Sequence, residues 1–351
     1  MNTFNALRLM ISLAGIATVS VTGKVLTVDQ RGSAEFTSLG AVGVAAQPGD
    51  TIQIVKGSGP YREILHVKQS GTPQAPIIVE GNGELITGFE PLTGFRQEKG
   101  LWVCDLPVKF PCVLTYQGER LVVAQDTGQP IRHARLNADR TRLELLPGVK
   151  TADWEYSRRD SVVRILNTSN QIYRDIRASG STNDAFNLHG AGDGLVFENI
   201  EGFNNLDEGF SAHDEIHCQI NGGRFWGNDN GITNIGHSDM QAENVDIYGN
   251  LGFGLCLTKC SASINGLRAW GNGITQIYIG SGSRVTFERT TAYEPVWDTR
   301  PWESYNESKA SKFSAPVRIN PSDITGAPVV APSRDMPASP GATFLSATTQ
   351  K

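Results

Sequence analysis

The sequence predicts an all-β protein: a right-handed parallel β-helix with an N-terminal helical cap and an inserted antiparallel β segment. Three observations carry that expectation. Trp226, Tyr248 and Trp270 recur at one constant interval, and Asn228, Asn250 and Asn272 recur at the same one. Of the 38 glycines, 19 lie between Gly180 and Gly282, where tight corners would need them. Long helix-forming runs are scarce, and the short apolar segments are separated by Gly and Asn turns.

The recurrence sets the architecture. Phe225-Trp-Gly-Asn228, Ile247-Tyr-Gly-Asn250 and Ala269-Trp-Gly-Asn272 align without gaps, and Gly202-Phe-Asn-Asn205 precedes them. A second register agrees, with Asp184-Ala-Phe-Asn-Leu-His189 echoed by Glu208-Gly-Phe-Ser-Ala-His213 and continued by Gly231-Ile-Thr233. A repeat this short cannot bury its own apolar side, so it must stack on its neighbours. Leucine-rich repeats have the length but not this spacing. Coils of three short strands, stacked about 4.8 Å apart, fit it. The repeated asparagines are then expected as a structural ladder in left-handed turns, and the aromatics before them as a stacked column.

From the start of the chain, Arg8 followed by the apolar run Leu9 to Val21 reads as an export signal covering 1–23, cleaved near Gly23. The run is too short for a membrane span, so a secreted or periplasmic protein is expected. Residues 24–87 hold an apolar helix over Phe36 to Ala46, suited to closing the end of the stack. They also hold strands at Gly49 to Val55, Tyr61 to Val67 and Pro76 to Val79. Residues 88–160 break the pattern, with Leu101 to Leu106, Val113 to Tyr116, Arg120 to Val123 and Arg142 to Leu146 reading as antiparallel strands. The coils run through 161–295. Residues 296–351 read as a C-terminal cap followed by a Pro-, Ser- and Ala-rich tail, partly disordered. Cys104 with Cys112, and Cys256 with Cys260, are spaced for local disulfides, and the odd count of five leaves a thiol over.

The net charge of -5, with both signs interleaved, argues against a nucleic-acid partner. A monomer, without membrane contact once the signal is gone, is the expectation. Strand alternation turns Phe186, Leu188, Phe210 and Ala212 inward and Asn187, His189, Ser211 and His213 outward. His189 and His213 then fall on adjacent coils, and an even step of one repeat adds Glu215, His237 and Lys259 to the same wall.

The segments Gly49-Asp-Thr-Ile52, Tyr61-Arg-Glu63 and Ser70-Gly-Thr-Pro-Gln-Ala-Pro-Ile-Ile-Val79, with the later coils, resemble the pectate-lyase-like superfamily of parallel β-helix proteins. That resemblance implies a carbohydrate-active protein; the superfamily holds polysaccharide lyases, glycoside hydrolases, uronan epimerases and noncatalytic adhesins. Glu208-Gly-Phe-Ser-Ala-His-Asp214 is also similar to the Tyr-Gly-Phe-Asp-Pro-His-(Asp/Glu) signature of mannuronan C5-epimerases. Gly209, Phe210, His213 and Asp214 match, while Glu208 and Ser211 replace the tyrosine and first aspartate.

Lyases of uronic-acid polymers remove the C5 proton beside a carboxylate and need a base, a carboxylate neutraliser and a proton donor. His213 or His189 suits the base, since imidazole titrates near operating pH. Asp214 adjoins them, and Lys259 suits either base or neutraliser. Asn187, Ser211, Glu215 and His237 are the expected substrate contacts. Calcium is another neutraliser, and Asp184, Asp207 and Glu208 offer it hard oxygen ligands. β-Elimination of an acidic polysaccharide is the preferred expectation. The alternatives are a glycoside hydrolase using two of those carboxylates, an epimerase, and a noncatalytic carbohydrate-binding β-helix.

Overall fold

The computed structural model describes residues 23–123, 132–295 and 315–341. The expected export signal lies almost wholly outside them, as does the start of the expected C-terminal cap. The fold is a right-handed parallel β-helix whose coils form two long parallel sheets of 15 and 7 strands. The seven-stranded sheet, the site sheet below, runs through Arg159–Leu166, Ser181–His189, Glu208–Ala212, Asn230–Ile235, Phe253–Thr258, Thr275–Ile279 and Val317–Ile319. Its inward positions stack like on like: Phe186 pairs with Phe210, Phe210 with Ile232, Ile232 with Leu255, and Leu255 with Ile277. All five are completely buried in one apolar column, as stacking of half-apolar repeats requires.

The corners repeat equally well. Asn205, Asn228 and Asn250 each donate from Nδ2 to Oδ1 of the next ladder asparagine, at 2.8, 3.0 and 2.8 Å, and Asn272 ends the chain on Gln276 Oε1 at 2.8 Å. Each of these four side chains is fully buried. The left-handed residue of the turn is not the ladder asparagine, as expected, but the one before it: Gly227, Gly249 and Gly271, at φ 69, 61 and 64°. Glycine takes that conformation without a Cβ clash, leaving the asparagine free to point inward. Beside the ladder, Phe203, Trp226, Tyr248 and Trp270 stack with centroids 4.5, 5.8 and 4.6 Å apart.

At the N-terminal end the helix is Leu39–Ala45, shorter than expected, because Phe36 instead bridges Val28. Ser38 Oγ accepts the Ala41 N–H, and Glu63 accepts those of Leu39 and Gly40, which satisfies the free amides of the first turn. Gly43 lies against the His66 carbonyl, where a Cβ would come within 2.4 Å. Strands form at Thr51–Ile54 and Ile77–Glu80, but Tyr61 to Val67 makes only isolated bridges at Tyr61 and Leu65.

The solenoid then continues across the insertion. Ile77–Glu80 pairs directly with Gln171–Arg174, and Leu85–Thr87 with Arg177–Ser179. Between them, two four-stranded antiparallel sheets enclose a separate apolar core around Trp154, Leu143 and Leu145. Residues 315–341, which span the end of the expected cap and the start of the expected tail, add Val317–Ile319, Asp323–Thr325 and Val329–Ala331 to the end of the stack. Their edge-seeking partners are the last coil's strands, a contact that composition does not encode.

The cysteines correct the disulfide expectation. Cys104, Cys112, Cys218 and Cys260 are free and buried, so neither expected bridge forms. Cys104 Sγ instead lies 3.1 Å from the Thr93 carbonyl. Burial raises the Cys112 thiol to about 12, which suits packing rather than reactivity.

Candidate functional site

The outer face of the site sheet carries three adjacent columns. In the middle one, Arg164, Asn187, Ser211, Thr233, Cys256 and Tyr278 lie in register on successive coils. To one side stand the histidines. His189 and His213 stack face to face, with centroids 4.3 Å apart and planes 10° from parallel. Strand periodicity and coil stacking together place them there. His213 Nε2 is within hydrogen-bond distance of Ser211 Oγ. His189 Nδ1 faces Asp214 Oδ2 at 3.4 Å, and the same oxygen accepts the Gly190 N–H at 2.9 Å.

These contacts separate the two imidazoles. Burial, reinforced by His189, holds the His213 ring below its usual titration range, against a smaller pull from Asp184 and Asp214. His213 is therefore neutral near pH 7, with one nitrogen able to accept a proton. The Gly190 amide, with help from His189, lowers Asp214, so a carboxylate stands beside His189 throughout that range.

On the other side of the middle column, Asp184, Asp207 and Glu208 bring one oxygen each within 4.8 Å of the others. Asp184 is almost fully buried; its Oδ1 accepts the Glu208 N–H, and its Oδ2 accepts from Asn183 and Asn187. Glu208, 8% exposed, accepts from Asn230 Nδ2 and Thr233 Oγ1 through Oε1. Burial first, then Asp184 and Asp207, push its carboxyl well above the usual range, so Glu208 holds its proton. The columns connect, since Asn187, which donates to Asp184, lies in register with Ser211, which meets His213.

The insertion closes one flank of this face. Arg120, buried to 7% exposure, donates to the carbonyls of Asn205 and Gly227, and Phe89 and Val113 pack on Leu206. Both contacts fall just before Asp207 or its equivalent on the next coil. Burial lowers the Arg120 guanidinium to about 10, with Asp229 opposing the shift. No sequence signal pointed to Arg120, because it arrives from a segment 85 residues upstream of Asn205. Asn230 and Thr233 were findable, since they stand one repeat after Glu208 and Ser211.

The structure divides the remaining expected residues. Past His213 the histidine column continues as Ile235 and Thr258, not as Glu215, His237 and Lys259. Glu215 is exposed on the next strand, paired with Ala191. His237 and Lys259 line a separate hollow with Arg284 and Asp323. The physical reason is a shortened corner. Three residues separate Ile235 from Asp239, but only two, Lys259 and Cys260, separate their partners Thr258 and Ser261. Lys259 thus takes the left-handed place of Gly236, at φ 53° against 76°.

Neither a protein-family model nor a curated protein matches the chain. Solved structures do. A glycoside hydrolase superposes with a TM-score of 0.51 at 10% identity, over 88% of this chain and 96% of that one. A complex of XylC with xylose gives 0.49 at 12%, over 77% and 68%. Pectate lyase Pel9A gives 0.45 at 14%, over 89% and 78%. At such identities the likeness is one of fold, the right-handed parallel β-helix. Among the described residues, no helix is long and apolar enough to cross a membrane.

Proposed function

We propose that this chain is an exported carbohydrate-active enzyme that cleaves an acidic polysaccharide by β-elimination, with His213 as the base. The observation that carries this reading is the stacked imidazole pair, in which burial and His189 keep His213 neutral on an open outer face. A neutral imidazole accepts a proton near neutral pH, which is what abstraction beside a carboxylate requires. The electron pair left at C5 becomes the C4–C5 double bond, and the C4–O bond breaks toward the leaving sugar, which takes up a proton. His189, backed by Asp214, is the adjacent imidazole able to hand over such a proton. Ser211, expected as a substrate contact, is fully buried, and Asn187 and Thr233 keep only 9 and 7% exposure on the strip along which the polymer would lie.

A hard divalent cation such as calcium fits the acidic corner. Asp184, Asp207 and Glu208 would hold it, since each offers an oxygen within 4.8 Å of the others. Bound there, it would supply positive charge to offset a uronate carboxylate. Export rests on the signal pattern of Arg8 and the Leu9 to Val21 run.

One observation favours a second reading. Glu208 holds a proton beside ionisable Asp207 and Asp184, which is the arrangement of a glycosidase general acid. Incubation with a panel of uronans and neutral glycans separates the two. Unsaturated uronate absorbance that disappears in His213→Ala supports the lyase. New reducing ends without that absorbance, lost in Glu208→Gln, support the hydrolase. Binding with neither product would leave a carbohydrate-binding β-helix.

A further inference from the structure

Two coils beyond Asp214, the same outer corner opens into a hollow of about 410 Å³, lined by His237, Lys259, Ser283, Arg284, Ser322 and Asp323 among others. Missing side chains make it. The left-handed corner position reads Gly190, Asp214, Gly236, Lys259 and Gly282 on successive coils. A Cβ on Gly236 would meet the Asp214 backbone at 3.4 Å, and one on Gly282 would lie 3.8 Å from Lys259 Cγ. Lys259 therefore stands alone between two coils with bare corners, its stem over one of them. Lysine is a costly choice there, since a left-handed backbone disfavours residues with a Cβ.

The charge of the hollow differs from that of the neighbouring wall. Along the coils, Arg174, Arg177, Arg224 and Arg268 each meet a carboxylate of the adjacent coil within 2.8 Å. In the hollow, Lys259 and His237 meet no carboxylate among the described residues, and Arg284 reaches Asp323 only at 3.9 Å. The Arg284 and Asp323 side chains are 78 and 79% exposed, so water screens that pair and the hollow keeps a net positive charge.

We infer that this hollow is a second subsite, which takes the carboxylate of an acidic sugar unit in a polymer whose cleaved unit lies at His213. The inference rests on the acidic-polysaccharide reading above and adds to it a place for a distant unit. Coil spacing puts Lys259 about 10 Å from Asp214 along the stack, so the two sites fall on one line and a single extended chain can span both. Lys259 and Arg284 supply charge-assisted hydrogen bonds to the carboxylate, and the exposed His237 offers a hydrogen bond to a ring hydroxyl.

The test is calorimetric binding of uronic-acid oligomers of two to six units to the uncut His213→Ala protein. Lys259→Ala and Arg284→Ala are then introduced separately on that background. Lys259→Gly serves as a second variant, because glycine suits the corner and removes the charge without a folding penalty. Each substitution should weaken hexamer binding about tenfold and flatten its salt dependence. Dimers, too short to span both sites, should bind as before, and a methyl-esterified hexamer should show no loss. Equal hexamer affinity in all variants, with the wild type still releasing unsaturated uronate, would overturn the subsite and leave the enzyme reading intact. A wild type that neither binds nor cuts any uronan would overturn both.

Discussion

His213 is one imidazole under three influences: burial and His189 disfavour its protonated form, while Asp184 and Asp214 favour it. The first two prevail, so the base form persists at lower pH than for a free imidazole. The acidic limb of kcat/KM should therefore lie below pH 6.5, and His213→Ala should reduce turnover at least roughly a hundredfold. A pH–rate profile and product absorbance check both. Glu208 carries the opposite sign. Its folded-state pKa is raised, so the stability it confers is fully present below its unfolded value and is lost as pH rises through the folded value. Glu208→Gln keeps the shape and removes the ionisation. Calorimetric melting from pH 4 to 9 should show the wild type losing stability on the alkaline side and the variant losing less. Both positions were readable as candidates from the echo of Asp184 to His189 in Glu208 to His213. Which carboxyl would keep its proton was not, because that depends on three oxygens converging from two coils.

At the scale of the element, the asparagine ladder and the exposed ion pairs make a useful contrast. Asn250 donates to Asn272 and accepts from the backbone and side chain of Asn228 in a corner without water-exposed surface. Asn250→Ala leaves those partners unsatisfied, and a loss of about 2–4 kcal/mol is expected in urea unfolding. Asp246 and Arg268, an ion pair linking adjacent coils, stand partly in water. Asp246→Ala should cost less than about 1 kcal/mol. The ladder was legible because buried amides must pair, and an even period offers only the next coil as partner. The corner of Lys259 was not. The steps from Phe186 to Phe210, Ile232, Leu255 and Ile277 are unequal in length. They defeat an even count, and a slip of a single position moves a side chain to another place.

For the molecule as a whole, the stack must end somewhere, and its open edges are its weak point. Residues 315–341 cover one end. Val317–Ile319, Asp323–Thr325 and Val329–Ala331 pair with Thr275–Ile279, Arg284–Glu288 and Thr291–Tyr293. Ser339 and Pro340 then accept hydrogen bonds from Trp270 and Tyr248. Truncation after residue 314 uncovers three strand edges and the aromatic column, and static light scattering should show the shortened chain aggregating while the full chain does not. Sequence alone determined what repetition can encode: the coil, its inward apolar column, the corner ladders and the pairing of His189 with His213. Stacking makes those local, because each residue's neighbour is simply its counterpart one repeat away. Tertiary structure alone decided what repetition does not reach. It brought Arg120 in from the insertion, folded the tail back onto the last coil, shortened the corner at Lys259, and set the burial that leaves a proton on Glu208 and none on His213.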